Sequence, residues 1–235
     1  MTENSIVIVG MSRTPMGGFQ GDFATTPAPI LGSTAIKGAM DQTNIDPKDI
    51  EQTYMGCVLP AGIGQAPARQ ASIGAGIPLS TACTTINKMC GSGMEAIILA
   101  HNAISAGAAN IVVAGGMESM SNSPYLLPKM RSGARLGHAE VKDHMFLDGL
   151  EDAYDKGKLM GVFAEKTAEK YSFSREAQDE FAITSLTRAN QAIDNGHFKS
   201  EISPVTVTTR KGDIVVDTDE QPGKAKVERI PSLKP

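Results

Sequence analysis

The stretch Asn-Lys-Met-Cys-Gly-Ser-Gly-Met-Glu-Ala, residues 87–96, decides the fold because it joins a strand to a helix. Residues 80–89 are rich in threonine and predict a strand. After the stretch, apolar residues recur at the i, i+3, i+4 spacing of a buried helix that ends at Gly107, namely Met94, Ile97, Ile98, His101 and Ile104. We therefore expect a strand, a tight turn carrying Cys90, and a helix.

Cys90 lies at the first turn of that predicted helix. Unpaired backbone N–H groups and the helix dipole at this position favour a thiolate, the nucleophilic form of cysteine. Gly91 and Gly93 remove side chains from the approach, so a ligand carbonyl can come close to the sulfur and to backbone donors. The pattern predicts an acyl-accepting nucleophile, as in a serine nucleophile elbow. The alternative is a small buried residue beside glycine-rich helix packing.

The other cysteines and the histidines indicate no second reactive site. Cys57 and Cys83 lie inside strand-like runs and are expected to pack in the core. Three cysteines without a C-x-x-C pair argue against a disulfide framework or a zinc site. The four histidines are scattered, so no metal site is expected, and His101 on the apolar helix face is interpreted as a core residue.

Strands and helices alternate on either side of the deciding stretch, which predicts an α/β fold with a layered sheet. Further strands are predicted at residues 6–9, 54–58 and 111–114, and further helices at residues 31–40 and 66–75. The run at 6–9 is continuously apolar, as expected of a strand buried on both faces. Residues 1–119 are therefore interpreted as one α/β core.

Residues 120–235 differ from residues 1–119 in composition and periodicity. They open with a serine-, glycine- and proline-rich stretch without periodicity. Helices are predicted at 161–171 and 175–194, the second with Ser174 as N-cap. Lys211-Gly212 predicts a hairpin between residues 202–208 and 213–216.

Composition excludes several classes of protein. A formal net charge of −4 and a pI near 5.6 argue against a nucleic-acid binder. No apolar run is long enough to span a bilayer, and the first residues lack the pattern of a secretory signal. We expect a cytoplasmic protein without membrane contact.

Three motifs in order resemble the thiolase family: Arg-Thr-Pro-Met-Gly-Gly-Phe at 13–19, the stretch at 87–96, and Ala-Gly-Gly-Met-Glu-Ser-Met-Ser-Asn-Ser-Pro-Tyr at 114–125. The resemblance runs through the chain, including residues 148–154 and 210–213. It implies a layered thiolase-like fold in which residues 1–119 are an N-terminal core lacking its last strands and residues 120–235 are an inserted loop domain. The C-terminal half of the family is absent.

The resemblance also implies an activity and a set of contacts. A glycine after the cysteine, as at Gly91, resembles the biosynthetic acetyl-CoA acetyltransferase branch of the family. The resemblance implies that Cys90 takes an acetyl group from one acetyl-CoA and that a second acetyl-CoA then attacks this group. It implies substrate-binding roles for six residues: Leu150 at the pantetheine, Met160 at the acyl pocket, and Lys224, Ala225, Lys226 and Arg229 at the nucleotide of coenzyme A. It further implies a homotetramer and no cofactor beyond the coenzyme A thioesters. Leu186 stands where potassium-dependent members carry tyrosine, which argues against potassium.

The family's G-H-P, N-E-A-F and C-x-G motifs do not occur in these 235 residues. Their histidine, asparagine and second cysteine would supply the base, an oxyanion donor and the acid. The chain alone is therefore expected to be inactive. Open alternatives are a 3-ketoacyl-CoA thiolase of fatty-acid β-oxidation, a non-catalytic acyl-CoA-binding module, a redox-responsive cysteine protein, and a relative of the β-ketoacyl synthases.

Overall fold

The computed structural model describes residues 5–234 and has a three-stranded parallel sheet at its centre. Its strands are β1 (Gln52–Gly56), β2 (Ala82–Ile86) and β3 (Val112–Gly116), in the order β2-β1-β3. Gly56 pairs with Ile86 on one side and with Gly116 on the other. All three strands therefore end at one carboxyl edge, and the predicted α/β fold is confirmed.

Two helices cover this sheet, α2 (Pro67–Gly74) and α3 (Ser92–Ser105). An earlier helix, α1 (Ala28–Asp41), packs against α2. α2 connects β1 to β2, and α3 connects β2 to β3. Small side chains let α2 approach closely, since Ala68 and Ala71 are both fully buried. Cys57 is buried in the same cluster and Cys83 packs against it, as the sequence predicts.

The buried face of α3 differs from the prediction. Ser92, Ala96 and Ala100 are buried, whereas Met94 is 70% exposed and Ile97 and Ile98 are about half exposed. His101 is exposed too, so its interpretation as a core histidine is wrong. Helix α3 lies so close to β1 and β3 that only small residues fit between them. The large apolar residues consequently face away from this sheet.

The predicted strand at residues 6–9 does not form. Val7, Ile8 and Val9 are 60 to 77% exposed, and the segment enters no ladder with β1, β2 or β3. A strand requires a neighbouring backbone to satisfy its N–H and C=O groups. Within residues 5–234, no strand lies beside residues 6–9. The lack of a pairing partner is the physical reason that the prediction is wrong.

The remaining elements follow in chain order, and the two predicted helices and the predicted hairpin are among them. β4 (Tyr125–Leu126) and β5 (Lys142–Asp143) pair antiparallel, and the loop between them is exposed. Helices α4 (Met160–Lys170) and α5 (Arg175–Asp194) follow, and the Ser174 side chain accepts a hydrogen bond from Ala177 N–H. β6 (Val205–Thr209) and β7 (Gly212–Val216) form the predicted hairpin, and α6 (Glu220–Lys224) closes the series. Short helical segments of one or two turns occur at Pro47–Asp49, Met120–Asn122, Met130–Ser132, Phe146–Leu150 and Val227–Ser232.

The β6-β7 hairpin packs on an early part of the chain. Phe23 forms a second small core with Val205, Val207 and Val216. Close to it, the Arg13 guanidinium donates two hydrogen bonds to Asp219, at 2.7 and 2.9 Å. Residues 13–31 are thus held by residues about 200 positions later. Across residues 5–234, no helix combines the length and apolarity needed to cross a bilayer.

Candidate active site

Cys90 lies in the connection between β2 and α3, at the carboxyl edge of the sheet. Its side chain is exposed. Ligand sites of open parallel sheets are found outside this edge, where the loops leaving neighbouring strands meet. The predicted strand, turn and helix around Cys90 are therefore confirmed, and the alternative of a buried cysteine is wrong.

The bend that carries Cys90 is closed by backbone hydrogen bonds. Gly91 N–H donates to the Lys88 carbonyl at 3.1 Å, and Ser92 N–H donates to the Met89 carbonyl at 3.0 Å. Met89 has a positive φ of 49°, which is uncommon for a residue with a side chain. The strained residue is thus Met89, which precedes the cysteine. The bend leaves the Cys90 side chain exposed to solvent.

Helix α3 begins immediately after this bend. Glu95 N–H donates to the Gly91 carbonyl at 2.9 Å, which is the first helical bond. The N–H groups of Gly93 and Met94 have no acceptor among the hydrogen bonds within residues 5–234. The Gly93 nitrogen faces Gly56 and Gly116 of the sheet, so the N–H of exposed Met94, at the positive end of the helix dipole, is the donor left for a negative charge on sulfur or oxygen.

Gly93 has a different role from the one predicted. A Cβ at this position would lie 3.8 Å from the backbone nitrogen of Gly116, so the residue faces β3 rather than an approaching ligand. A longer side chain there would push α3 off the sheet. At Gly91 the added Cβ would meet only the Lys88 carbonyl, at 3.4 Å. Gly91 alone fits the prediction of an open approach to the sulfur.

Glu118 organises the loop that follows β1. Its carboxylate accepts hydrogen bonds from Val58 N–H at 2.8 Å and from Leu59 N–H at 3.0 Å. The Cys57 thiol lies 3.6 Å from the same carboxylate, and burial together with this negative charge raises the pKa of Cys57 to about 12. Cys57 is therefore a protonated, inert thiol. The role of Glu118 was not predicted, although an acidic residue two positions after a strand is a usable signal.

His144 fastens a second segment to the same loop. Ala61 N–H donates to His144 Nε2 at 3.4 Å, and His144 Nδ1 lies 2.7 Å from Asp148. The ring is 5% exposed. Since Nε2 accepts from Ala61 N–H, Nδ1–H donates a hydrogen bond to the Asp148 carboxylate. The segment ending at Leu150 is thereby held against the loop after β1.

The side chains around the loop after β1 are of the types that bind metal ions, but each already has another partner. His144, Asp148, Cys57 and Glu118 are engaged with each other or with backbone N–H groups. Throughout the described part of the chain, no three His, Cys, Asp or Glu side chains are grouped to hold a metal ion. The polar groups at this edge are positioned to hold loops, and Cys90 is the exposed nucleophilic side chain among them.

The chain matches a known protein family over nearly its whole length. Residues 6–235 match the family described as thiolase, N-terminal domain. The chain belongs to the thiolase family. The resemblance of the three motifs and the expected thiolase-like fold are thus confirmed.

Among thiolases, acetyl-CoA acetyltransferases are similar over essentially the whole chain. The protein of Schizosaccharomyces pombe is 48% identical over 236 residues, covering 100% of this chain and 60% of its own length. The mitochondrial protein of Rattus norvegicus is 46% identical, with 99% of this chain and 54% of its own length covered. That of Pseudomonas aeruginosa is 47% identical, with 98% and 59% covered. The chain therefore spans a little over half the length of these thiolases.

In this thiolase chain the six predicted substrate-binding residues occupy two regions. Leu150 ends the Phe146–Leu150 turn and is half-buried, and Met160 is the exposed first residue of α4. The four others lie together in α6 and the turn after it, and all are exposed: Lys224, Ala225, Lys226 and Arg229. Without a bound coenzyme A, their substrate contacts stay predictions.

The basic residues of that second region are not equivalent. Lys224 forms an ion pair with Glu220 and lies 3.8 Å from an oxygen of Asp22. Its charge is already shared between two carboxylates. Lys226 and Arg229 enter no ion pair in the part of the chain that the structure describes. The two later residues are therefore freer than Lys224 to donate hydrogen bonds to an anion.

The thiolase motif at residues 13–19 has a structural role here. Arg13 binds Asp219 through two hydrogen bonds and Glu201 through a third at 2.6 Å. Glu220 accepts hydrogen bonds from Gly18 N–H at 2.7 Å and Asp22 N–H at 2.9 Å. The pKa of Glu220 falls to about 2, chiefly through Lys224 and then through these N–H donors. Sequence analysis missed Asp219 and Glu220 because their partners lie about 200 residues away.

Proposed function

We propose that this chain carries the acyl-accepting part of an acetyl-CoA acetyltransferase, with Cys90 as nucleophile. The observation that carries the proposal is the exposed Cys90 on a bend at the carboxyl edge of the sheet, directly before the first turn of α3, where Met94 N–H has no acceptor within residues 5–234. The names of the similar thiolases give the acyl group, since they are acetyl-CoA acetyltransferases.

The first step is acetyl transfer to the enzyme. The Cys90 thiolate attacks the thioester carbonyl of acetyl-CoA, and a bond from sulfur to the acetyl carbon forms. The carbon–sulfur bond to coenzyme A breaks, and the leaving thiolate takes up a proton to become free coenzyme A. Negative charge on the carbonyl oxygen during this step is stabilised by fixed N–H donors, a role suited to Met94 in the first turn of α3.

The second step is a Claisen condensation. A base removes a proton from the methyl carbon of a second acetyl-CoA, and this carbon attacks the acetyl group on Cys90. A carbon–carbon bond forms, the sulfur–acetyl bond breaks, and acetoacetyl-CoA leaves while Cys90 returns to its starting form. The reverse sequence is thiolysis of acetoacetyl-CoA.

The second step needs a positioned base. We assign this base to polypeptide outside these 235 residues. His101 is eleven residues beyond Cys90 along α3, or about 16 Å along the helix axis, and is too far to serve. Two apolar surfaces are exposed, one formed by Met94, Ile97 and Ile98 on α3 and one by residues 7–9. Exposed apolar surfaces of this kind favour the interpretation that further protein packs against this unit. The family's second half fits this requirement.

Coenzyme A recognition is proposed for the residues that the resemblance assigns. Lys226 and Arg229, which pair with no carboxylate within residues 5–234, suit the phosphates of the nucleotide, with Lys224 and Ala225 at its border. Leu150 and Met160 suit the pantetheine and the acyl group. We also propose residues 1–119 as core and 120–235 as inserted loop domain, a homotetrameric cytoplasmic enzyme, and coenzyme A thioesters as the only small molecules required.

One alternative has an observation in its favour. A nucleophile without its base fits an acyl-CoA-binding module that takes up an acyl group and does not condense it. A 3-ketoacyl-CoA thiolase would differ from the first proposal in accepting longer acyl chains. The dependence of Cys90 acylation on chain length separates the two thiolases, and condensation when the family's second half is supplied separates both from the binding module.

The experiment measures both steps on the purified 235-residue chain. Intact-mass spectrometry follows acetyl transfer from acetyl-CoA, with octanoyl-CoA in parallel, and an absorbance assay follows acetoacetyl-CoA. We expect one acetyl group on Cys90, slower transfer from octanoyl-CoA and no condensation, because a missing general base costs about 10² to 10⁴-fold in rate. Cys90→Ala should remain unmodified.

Three results would contradict the proposal. They are acetylation of Cys90→Ala, an unmodified wild-type chain, and condensation by the isolated chain at the rate of a complete thiolase. Equal transfer from octanoyl-CoA would favour the 3-ketoacyl-CoA thiolase. Acetyl transfer without condensation, even when the family's second half is supplied, would favour the binding module.

A further inference from the structure

Cys90 follows a residue whose backbone conformation needs support. Met89 has a φ of 49°, in the left-handed region, where a Cβ is crowded by the neighbouring carbonyl. Residues with side chains keep this conformation only when the surrounding structure holds them in it. Whatever holds Met89 therefore determines where the next residue, Cys90, leaves the bend.

Asn87 holds the amide side of Met89. Its Oδ1 accepts a hydrogen bond from Met89 N–H at 3.0 Å, which closes a local turn of the kind that asparagine favours. Its Nδ2 lies 3.5 Å from the Val58 carbonyl oxygen, a weaker contact with the loop after β1. The asparagine side chain thus replaces a backbone acceptor for the Met89 amide.

Ser92 holds the carbonyl side of Met89. Its hydroxyl donates to the Met89 carbonyl at 2.6 Å and accepts from Lys88 N–H at 2.9 Å. The residue is 5% exposed, so water does not compete for these bonds. Rotation of the Met89 carbonyl would leave a buried hydroxyl and a backbone amide without partners, which is unfavourable.

Ser92 is itself fixed by the sheet. A Cβ at Gly56 would approach the Ser92 Cβ to 2.6 Å, so β1 backs the serine directly. The thiol of Cys90, by contrast, makes no hydrogen bond within residues 5–234. The bend is rigid on both sides of Met89, and the exposed sulfur is left available for chemistry.

We propose that Asn87 and Ser92 are positioning residues that hold Met89 in its left-handed conformation and thereby fix the Cys90 thiol beside the first turn of α3. The chemical role of Cys90 in this inference rests on the proposed function. Neither side chain needs to contact the acyl group, because both act through the backbone of Met89.

The test uses the isotopically labelled 235-residue chain with Asn87→Ala and Ser92→Ala, each alone and combined with Met89→Gly. NMR couplings report φ at position 89, and peptide mass spectrometry reports the rate at which iodoacetamide alkylates Cys90. In each single variant we expect Met89 to leave positive φ and alkylation to slow by about threefold or more, because the thiolate loses the helix terminus. Glycine reaches positive φ without strain, so Met89→Gly should restore the rate.

Ser33→Ala is the matched control, because the Ser33 hydroxyl also donates to a carbonyl three residues earlier, that of Ile30 at 2.9 Å, in α1. It should change neither readout. Unchanged φ and alkylation in both single variants would overturn the inference. So would a slower rate that Met89→Gly does not restore. A wild-type chain that acetyl-CoA leaves unmodified would overturn the proposed function alone, since neither readout uses coenzyme A.

Discussion

Gly56 at the end of β1 lies so close to Ser92 at the start of α3 that an added Cβ would come within 2.6 Å of the serine Cβ and 2.8 Å of its carbonyl carbon. The neighbours are a buried side chain and backbone, which cannot move aside cheaply. The position of α3 over the sheet therefore depends on the absence of a side chain at residue 56.

Gly56→Ala should lower the free energy of unfolding by about 1–3 kcal/mol, the usual cost of overpacking a core. Urea denaturation followed by circular dichroism measures the change. Gly161→Ala is the control, because nothing lies within 4 Å of an added Cβ in α4 and alanine favours helix. Equal stability of Gly56→Ala and the wild-type chain would show that α3 is not held this closely.

Arg13→Lys should destabilise the chain by about 1–3 kcal/mol, because lysine cannot reproduce the forked pair of hydrogen bonds to Asp219. The measurement is again the urea midpoint. The exposed pair of Lys37 with Asp41 provides the control, and Lys37→Ala should stay within about 0.5 kcal/mol of the wild-type chain. Similar losses in the two variants would mean that Arg13 is no more than a surface residue.

Acid should weaken the fold through Glu220. Its pKa is about 2 in the folded chain, against an ordinary value of 4.5. A depressed carboxyl pKa stabilises the fold fully above pH 4.5, and this stabilisation is lost as pH falls through 4.5 towards 2. Between pH 6 and about pH 3, the wild-type chain should therefore lose more stability than Glu220→Gln. Parallel urea midpoints for the two proteins across this range would contradict the prediction.

The cysteines should differ in reactivity towards a substoichiometric alkylating agent near neutral pH. Cys90 is exposed, whereas Cys57 is 1% exposed and its pKa is raised to about 12. Cys90 should be labelled first and Cys57 should react only after unfolding. A peptide map at several times gives the order. Labelling of Cys57 or half-buried Cys83 ahead of Cys90 would refute the assignment of the nucleophile.

The sequence predicts the elements that local pattern determines. Helix α5 begins and ends where Ser174 and Asn195-Gly196 indicate, and β3 forms where a short apolar run predicts it. The position of Cys90 between β2 and α3 also follows from local pattern. These features depend on residues only a few positions apart.

Long-range contacts could not be predicted in this way. Apolar spacing selected the wrong face of α3, because periodicity does not reveal that Gly56 and Gly116 admit only small residues opposite them. The strand expected at residues 6–9 needed a partner that pattern cannot supply. Asp219 and Glu220 gave no signal, since a charged pair is indistinguishable from a solvated surface until its partner is placed.

The contact between Arg13 and Asp219 also sets an order of events during synthesis. The two residues are separated by 206 positions, so Arg13 leaves the ribosome long before its partner exists. At about 5–20 residues per second, the delay is roughly 10 to 40 s. Throughout that interval the loop at residues 13–19 is an unsecured segment open to proteases and chaperones, and it becomes ordered only when the β6-β7 hairpin and α6 have been translated.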